Sequence, residues 1–151
     1  MADLERHRAR LSGPLADRID LHVHVQRVPP CDLATHTPQE RSAEVRARVI
    51  AARERQRARY AHTAGTQPLA ALTNATAPIR LIAPAARLEA DARALLVRAA
   101  DKLALSARAY HRVLRVARTI ADLDDLEVVN RMHVGEALRY RPIVNESASA
   151  D

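Results

Sequence analysis

Apolar and polar positions alternate most regularly in LHVHVQRV, where Leu21, Val23 and Val25 face one way and His22, His24 and Gln26 the other. That is the period of a half-buried strand, and Val28-Pro29-Pro30 ends it. One strand cannot satisfy its own main-chain groups, so it must pair with something else. The residues before it read as short helix, turn at Ser12-Gly13-Pro14, and short helix. After the prolines the period becomes helical. Thr37 with Glu40 three residues on makes a capping box with Pro38 at the first helical position. Ser42 is a second candidate N-cap, and the helix should run to about Ala61. Its apolar stripe (Val45, Val49, Ala52, with Ile50 beside it) is narrow, and Arg46, Arg48, Arg53, Arg55, Arg57 and Arg59 crowd the other sides.

From Ala64 to Pro84 the pattern dissolves into Thr, Ala, Pro and Asn, which predicts a linker or flexible loop. Three amphipathic helices follow. Leu88, Ala92, Leu95, Ala99 and Leu103 form one apolar face. Ser106 caps a second helix with Tyr110, Val113, Leu114, Ala117 and Ile120 inward, and Asn130 caps a third with Val134, Ala137 and Leu138 inward. Short loops between such helices make a small bundle. The closing NESASAD predicts disorder.

Composition narrows the class. The chain has 151 residues, 48% of them hydrophobic, but no Phe or Trp, so any core is built from Ala, Leu, Val and Ile. With only Gly13, Gly65 and Gly135, a loop-rich sheet protein is disfavoured and a mainly α fold expected. The net charge of +6 is almost wholly arginine, Lys102 being the single lysine. Arginine suits bidentate contact with phosphate or carboxylate, and a compositional bias gives the same excess, so both readings stay open. The arginine-rich helix before Ala61 is either a solvated face or a surface that meets nucleic acid or an acidic neighbour. One cysteine, Cys31, excludes an internal disulfide and fits a reducing compartment. No apolar run reaches membrane-spanning length, and the expectation is a cytoplasmic protein with no membrane partner.

The chemistry is defined partly by absences. There is no Gly-rich loop followed by Gly-Lys-Ser/Thr to cradle a triphosphate, no dinucleotide fingerprint and no Ser/His/Asp order. His22 and His24 form an H-x-H without a third ligand, so no metal site is assigned. Cys31 lacks a cationic partner in sequence. The richest segment is ARAYHRVLRVARTIADL. Arg108, Arg112, Arg115 and Arg118 are spaced four, three and three, along one side of a helix and starting at its N-terminus. That is a sensible place for phosphate or, equally, a solvated face.

RLSGPLADRIDLHV, ERSAEVRARVIAARERQ, LSARAYHRVLRVARTIADL and HVGEALRYR, in this order and spacing, resemble the C-terminal part of the magnesium-chelatase-like AAA+ ATPases of the ComM competence-protein type. The resemblance covers nearly the whole chain and is weakest over Thr63–Pro84. It implies that residues 1–62 end an AAA+ α/β core of short helices, one strand and one long helix. Residues 63–83 would be a linker, 84–141 a three-helix lid and 142–151 a tail. The strand would then join a parallel sheet. Arg18, in D-R-I-D, would be an arginine finger acting in trans on a neighbouring subunit's γ-phosphate. Arg108 would be the sensor 2 arginine touching its own subunit's nucleotide, and Arg115 would be a further contact or a structural residue. ATP and Mg belong to the full-length parent, in which the P-loop and the acidic Mg ligands precede this region. The chain alone should bind neither and should not hydrolyse ATP. By resemblance the parent is a homo-oligomeric ring that moves DNA. Two rivals stay open: a magnesium chelatase ATPase subunit, and a non-catalytic helical module that binds nucleic acid or a partner ATPase.

Overall fold

A computed structural model of the chain describes residues 18–30, 40–61 and 72–141. Within them, helix α1 spans Ser42–Tyr60, α2 Ile79–Ala85, α3 Ala90–Lys102, α4 Ala107–Leu123 and α5 Arg131–Arg139. The only β pairing among the described residues is one parallel bridge between Leu88 and Val129, so the fold is mainly α, as expected. No helix among them is long and apolar enough to cross a membrane. The turn at Ser12-Gly13-Pro14, Cys31, Thr37, Pro38 and the NESASAD tail lie outside the described residues.

Two local expectations are corrected. Residues 21–28 form no strand, and Leu21, Val23, Val25 and Val28 are all exposed, Val25 at 84%. Alternation supplies a strand's two faces, but among the described residues the segment gains one main-chain bond, from His22 N–H to Tyr140 O, and no ladder. The helix after the prolines starts at Ser42 itself, one residue earlier than a Ser42 cap requires and later than a start at Pro38. Arg41 holds the N-cap position, and its N–H donates to Glu44 Oε2 at 3.1 Å. Glu40 meanwhile accepts both guanidinium bonds of Arg48, at 2.8 and 3.2 Å.

The caps of α4 and α5 form as their sequences predict. Ser106 Oγ accepts the Ala109 N–H at 3.1 Å, and Asn130 Oδ1 accepts those of Met132 and His133 at 2.9 and 3.2 Å. His133 returns the contact by accepting the Asn130 N–H at Nδ1, which leaves the proton on Nε2, 3.3 Å from Asp124 Oδ2. Helices α3, α4 and α5 close around Leu96, Val113, Leu114, Ile120, Val129 and Val134, with Ala92, Ala117, Ala121 and Ala137 buried among them. Helix α1 packs against α4, and so does α2.

The stretch expected to be a loop is ordered where it is described. Residues 73–76 make a turn in which Thr73 O accepts the N–H groups of Thr76 and Ala77, at 3.1 and 2.8 Å, and Asn74 is buried. Helix α2 follows, and Ile82, Leu72, Ala77 and Tyr60 form a second small core under it. The stretch is anchored by this small apolar core together with the buried Asn74, whose partners lie far off in sequence and leave no local period.

Helices α2, α3 and α4 all end without glycine. Arg87, Ala104 and Asp125 each take positive φ, at 43°, 45° and 62°. At the end of α3 the N–H of Leu105 reaches Ala100 O at 2.9 Å and that of Ala104 reaches Asp101 O at 3.3 Å, the Schellman pattern. A Cβ in that conformation costs about 1–2 kcal/mol, against about 0.5–1 for glycine's extra freedom in the unfolded chain. Ala104 is exposed and loses no packing on substitution. Ala104→Gly is therefore expected to stabilise the protein by about 0.5–1 kcal/mol, seen as a higher urea midpoint at unchanged slope. A lowered midpoint would show that the left-handed residue carries no strain here.

Candidate functional site

Helix α4 carries four arginines on one side, and the structure gives them different fates. Arg118 is wholly buried. Its Nε and Nη2 donate to Asp122 Oδ1 at 3.1 and 2.9 Å, Nη1 donates to Glu127 O at 2.6 Å, and Nη2 also reaches Leu126 O. Burial is the largest influence on this guanidinium and lowers its pKa against the pull of Asp122, although arginine stays charged throughout the physiological range. Arg115 Nη1 donates to the main-chain carbonyls of Asn74, at 3.0 Å, and Ala75. Arg112 lies with its Nη1 3.1 Å from Asp20 Oδ1. Arg108, the second residue of the helix, is exposed.

The spacing explains the gradient. At 100° per residue the 108–112–115–118 row drifts toward the buried face, so its last member lies beside Leu114 rather than opposite the core. Helix α1 and the Asn74 turn then cover that end. Arg59 donates to Asp122 Oδ2 at 2.9 Å and also to Oδ1, Asn74 Nδ2 donates to Oδ2 at 2.8 Å, and Arg55 Nη1 donates to Asp122 O at 2.7 Å. Asn74 is itself bonded by Tyr60 Oη at 2.8 Å and bonds Thr119 Oγ1 at 3.1 Å. Burial opposes the Arg59 charge, but the hydrogen bonds and charge of Asp122 outweigh it and hold its pKa above the ordinary value. Burial likewise raises the Tyr60 phenol.

At the open end of the row is a cleft of about 440 Å³ lined by Asp20, Ala75, Ile79, Arg108, His111, Arg112 and Arg115. Three guanidiniums and an imidazole face one carboxylate, so the cleft favours an anion with several oxygens. It fits contact with a phosphate held elsewhere. It lacks the Gly-rich backbone that would hold a nucleotide by itself, and the described residues contain no cluster of three His, Cys, Asp or Glu side chains for a metal. A second hollow, near Arg87 and Leu126, is largely neutralised by the Arg87–Glu127 and Arg55–Asp125 pairs.

Of the residues singled out from sequence, Arg108 and Arg115 meet in this cleft. Arg18 is exposed and does not line it, but Asp20, two residues on, does. Asp20 faces Arg112, Oδ1 lying 3.1 Å from Nη1. His24 is exposed, and the His22 main-chain N–H donates to Tyr140 O at 2.8 Å. Asp20 and His111 were not legible as site residues. The former read as a neighbour of Arg18, and the latter is one residue from Arg112 on a helix whose charge drew attention to the arginines.

Residues 39–141 match the family model described as magnesium chelatase, subunit ChlI C-terminal. The chain is 40% identical over 139 residues to the uncharacterized protein YifB of Escherichia coli, a span of 91% of this chain and 26% of that protein. It is 39% identical over 140 residues to the competence protein ComM of Haemophilus influenzae, covering 92% and 26% respectively. Against the uncharacterized protein Rv2897c of Mycobacterium tuberculosis the identity is 34%, over 93% of this chain and 26% of the relative. The chain thus spans about a quarter of the length of the curated relatives it matches. Because the family match takes in all five described helices, the buried Asp122 network and the α4 side of the cleft, this chain belongs to the magnesium chelatase subunit ChlI C-terminal family.

Proposed function

We propose that this chain acts as the C-terminal part of a ring-forming AAA+ ATPase of the ComM type, with α3 to α5 as the helical lid and α1 as the end of the ATPase core. The observation that carries this is the cleft at the start of α4, where the exposed Arg108 stands beside Arg112, Arg115 and His111. A guanidinium in the first turn of a helix, at the positive end of its dipole, suits a phosphate presented by another part of the same subunit. In this reading Arg108 senses the γ-phosphate of its own subunit, Arg115 shapes the cleft wall through the Asn74 turn, and Arg18 acts on the neighbouring subunit's nucleotide. ATP is the substrate, and the loop that holds it with Mg belongs to the rest of the parent. The partners are further copies in a ring and DNA, along which hydrolysis would drive movement in the cytoplasm. The family model's name favours a second reading, in which the same motor serves porphyrin metallation as a magnesium chelatase subunit.

The test is Arg108→Ala in the whole ring protein. Losing a charged hydrogen bond to phosphate costs about 1.5–3 kcal/mol, so ATP affinity or turnover should fall roughly tenfold or more. Arg108 is exposed, and the melting temperature should not move. Wild-type KM and kcat in the variant would remove the cleft from the mechanism.

A further inference from the structure

Among the described residues, the segment bearing Arg18 meets the helices and the end of α5 through Asp20, Ile19 and His22. Asp20 Oδ1 lies 3.1 Å from Arg112 Nη1, Arg141 Nη1 donates to Ile19 O at 3.3 Å, and the His22 N–H donates to Tyr140 O at 2.8 Å. The first differs from the others in kind. The Arg112 side chain is only 16% exposed and Asp20 57%, so a largely buried cation is answered by a carboxylate held mostly in solvent. The contact is also poorly aligned, since Arg112 Nη1 is buried and makes no hydrogen bond of good geometry. A buried donor without an aligned acceptor is a standing cost, and an exposed carboxylate is a weak partner for it. Both residues line the cleft, alongside Arg108.

We propose that Asp20 is a built-in competitor for Arg112, and that a polyphosphate anion entering the cleft displaces it and loosens residues 18–22 from α4. The inference rests on the reading of the cleft as a phosphate site. A polyphosphate offers several oxygens and more than one charge to Arg108 and Arg112 together, which one carboxylate oxygen cannot match. Once Asp20 leaves, the segment is held to the helices by its two main-chain contacts near the end of α5. The position of Arg18 then depends on whether the cleft of its own subunit is filled. By linkage, whatever holds Arg18 elsewhere raises the affinity of that cleft by the same factor. A finger used in trans would in this way report the state of the subunit that carries it.

The experiment titrates this chain with inorganic tripolyphosphate, following binding by calorimetry and the His22 amide by hydrogen exchange. If Asp20 holds Arg112 about nine-tenths of the time, Asp20→Asn should bind about tenfold tighter, because apparent affinity scales with the competent fraction. Tripolyphosphate should speed His22 exchange in the wild type. In Asp20→Asn that exchange should already be faster and change little further. Glu127→Gln removes a carboxylate from the other hollow and controls for net charge. Equal tightening by Glu127→Gln, or an Asp20→Asn affinity matching wild type with His22 unmoved, overturns the competition. Absence of binding by both wild type and Asp20→Asn overturns instead the phosphate reading of the cleft, and this inference with it.

Discussion

Replacing Asp122 by alanine is expected to destabilise the protein by about 3–5 kcal/mol, because it strands a buried charge rather than removing one contact. Asp122 is fully buried and its carboxylate takes hydrogen bonds from Arg59, Arg118 and Asn74, while its main chain takes one from Arg55. Without it Arg118, also fully buried, keeps only the carbonyls of Leu126 and Glu127. A guanidinium cannot shed its proton to escape, so the interior must admit water or open. A domain of this size has about 5–15 kcal/mol in total, and the loss should therefore be visible as a large drop in the denaturant midpoint. Arg118→Met supplies the contrast. It removes the buried cation and leaves Asp122 paired with Arg59, and exchanging a buried ion for an apolar side chain of similar volume is often far less costly than orphaning its partner. Equal losses in the two variants would show that the network is ordinary polar packing with no charge held in balance.

Loss of Arg18 should act on rate and leave folding alone. On the proposed trans role, Arg18→Ala in the whole ring protein lowers hydrolysis on the order of a thousandfold or more, as removal of an arginine finger does in phosphoryl transfer. The delocalised, always-charged fork stabilises charge on the transferring group, which is needed only in the transition state. Arg18 is exposed, so melting temperature and nucleotide binding should stay near wild type. Mixed rings separate this from a role within one subunit. An Arg18→Ala subunit keeps a sound nucleotide pocket and a P-loop mutant keeps a sound finger, so co-assembled rings should recover hydrolysis at interfaces pairing the two. Absence of recovery despite demonstrated co-assembly would end the trans assignment. A lowered melting temperature with an unchanged rate per folded ring would make Arg18 a structural residue of the turn.

What could be read from the chain is what neighbouring residues decide among themselves. Ser106 and Asn130 cap α4 and α5 through contacts two or three residues away. The inward positions Val113, Leu114, Ala117 and Ile120 follow from the helical period alone. The same locality misled at LHVHVQRV, where the alternation is genuine but a strand also requires a second segment that no period can supply.

The site was decided by docking. Arg118 and Asp122 stand four apart, a spacing that on a solvated helix would be a weak surface pair. They became a buried charge network only because Arg59, 63 residues from Asp122 in sequence, and Asn74, 48 residues away, were brought over them by α1 and its following turn. Four arginines on one side of a helix thus divided into a core residue, a backbone clamp, a partner for Asp20 and one exposed guanidinium. The sequence by itself determined helices α1, α3, α4 and α5, the caps of α4 and α5 and the charge they carry, since those depend on contacts within about one turn. Only the tertiary structure decided which charges meet water, because burial depends on what packs across from a helix.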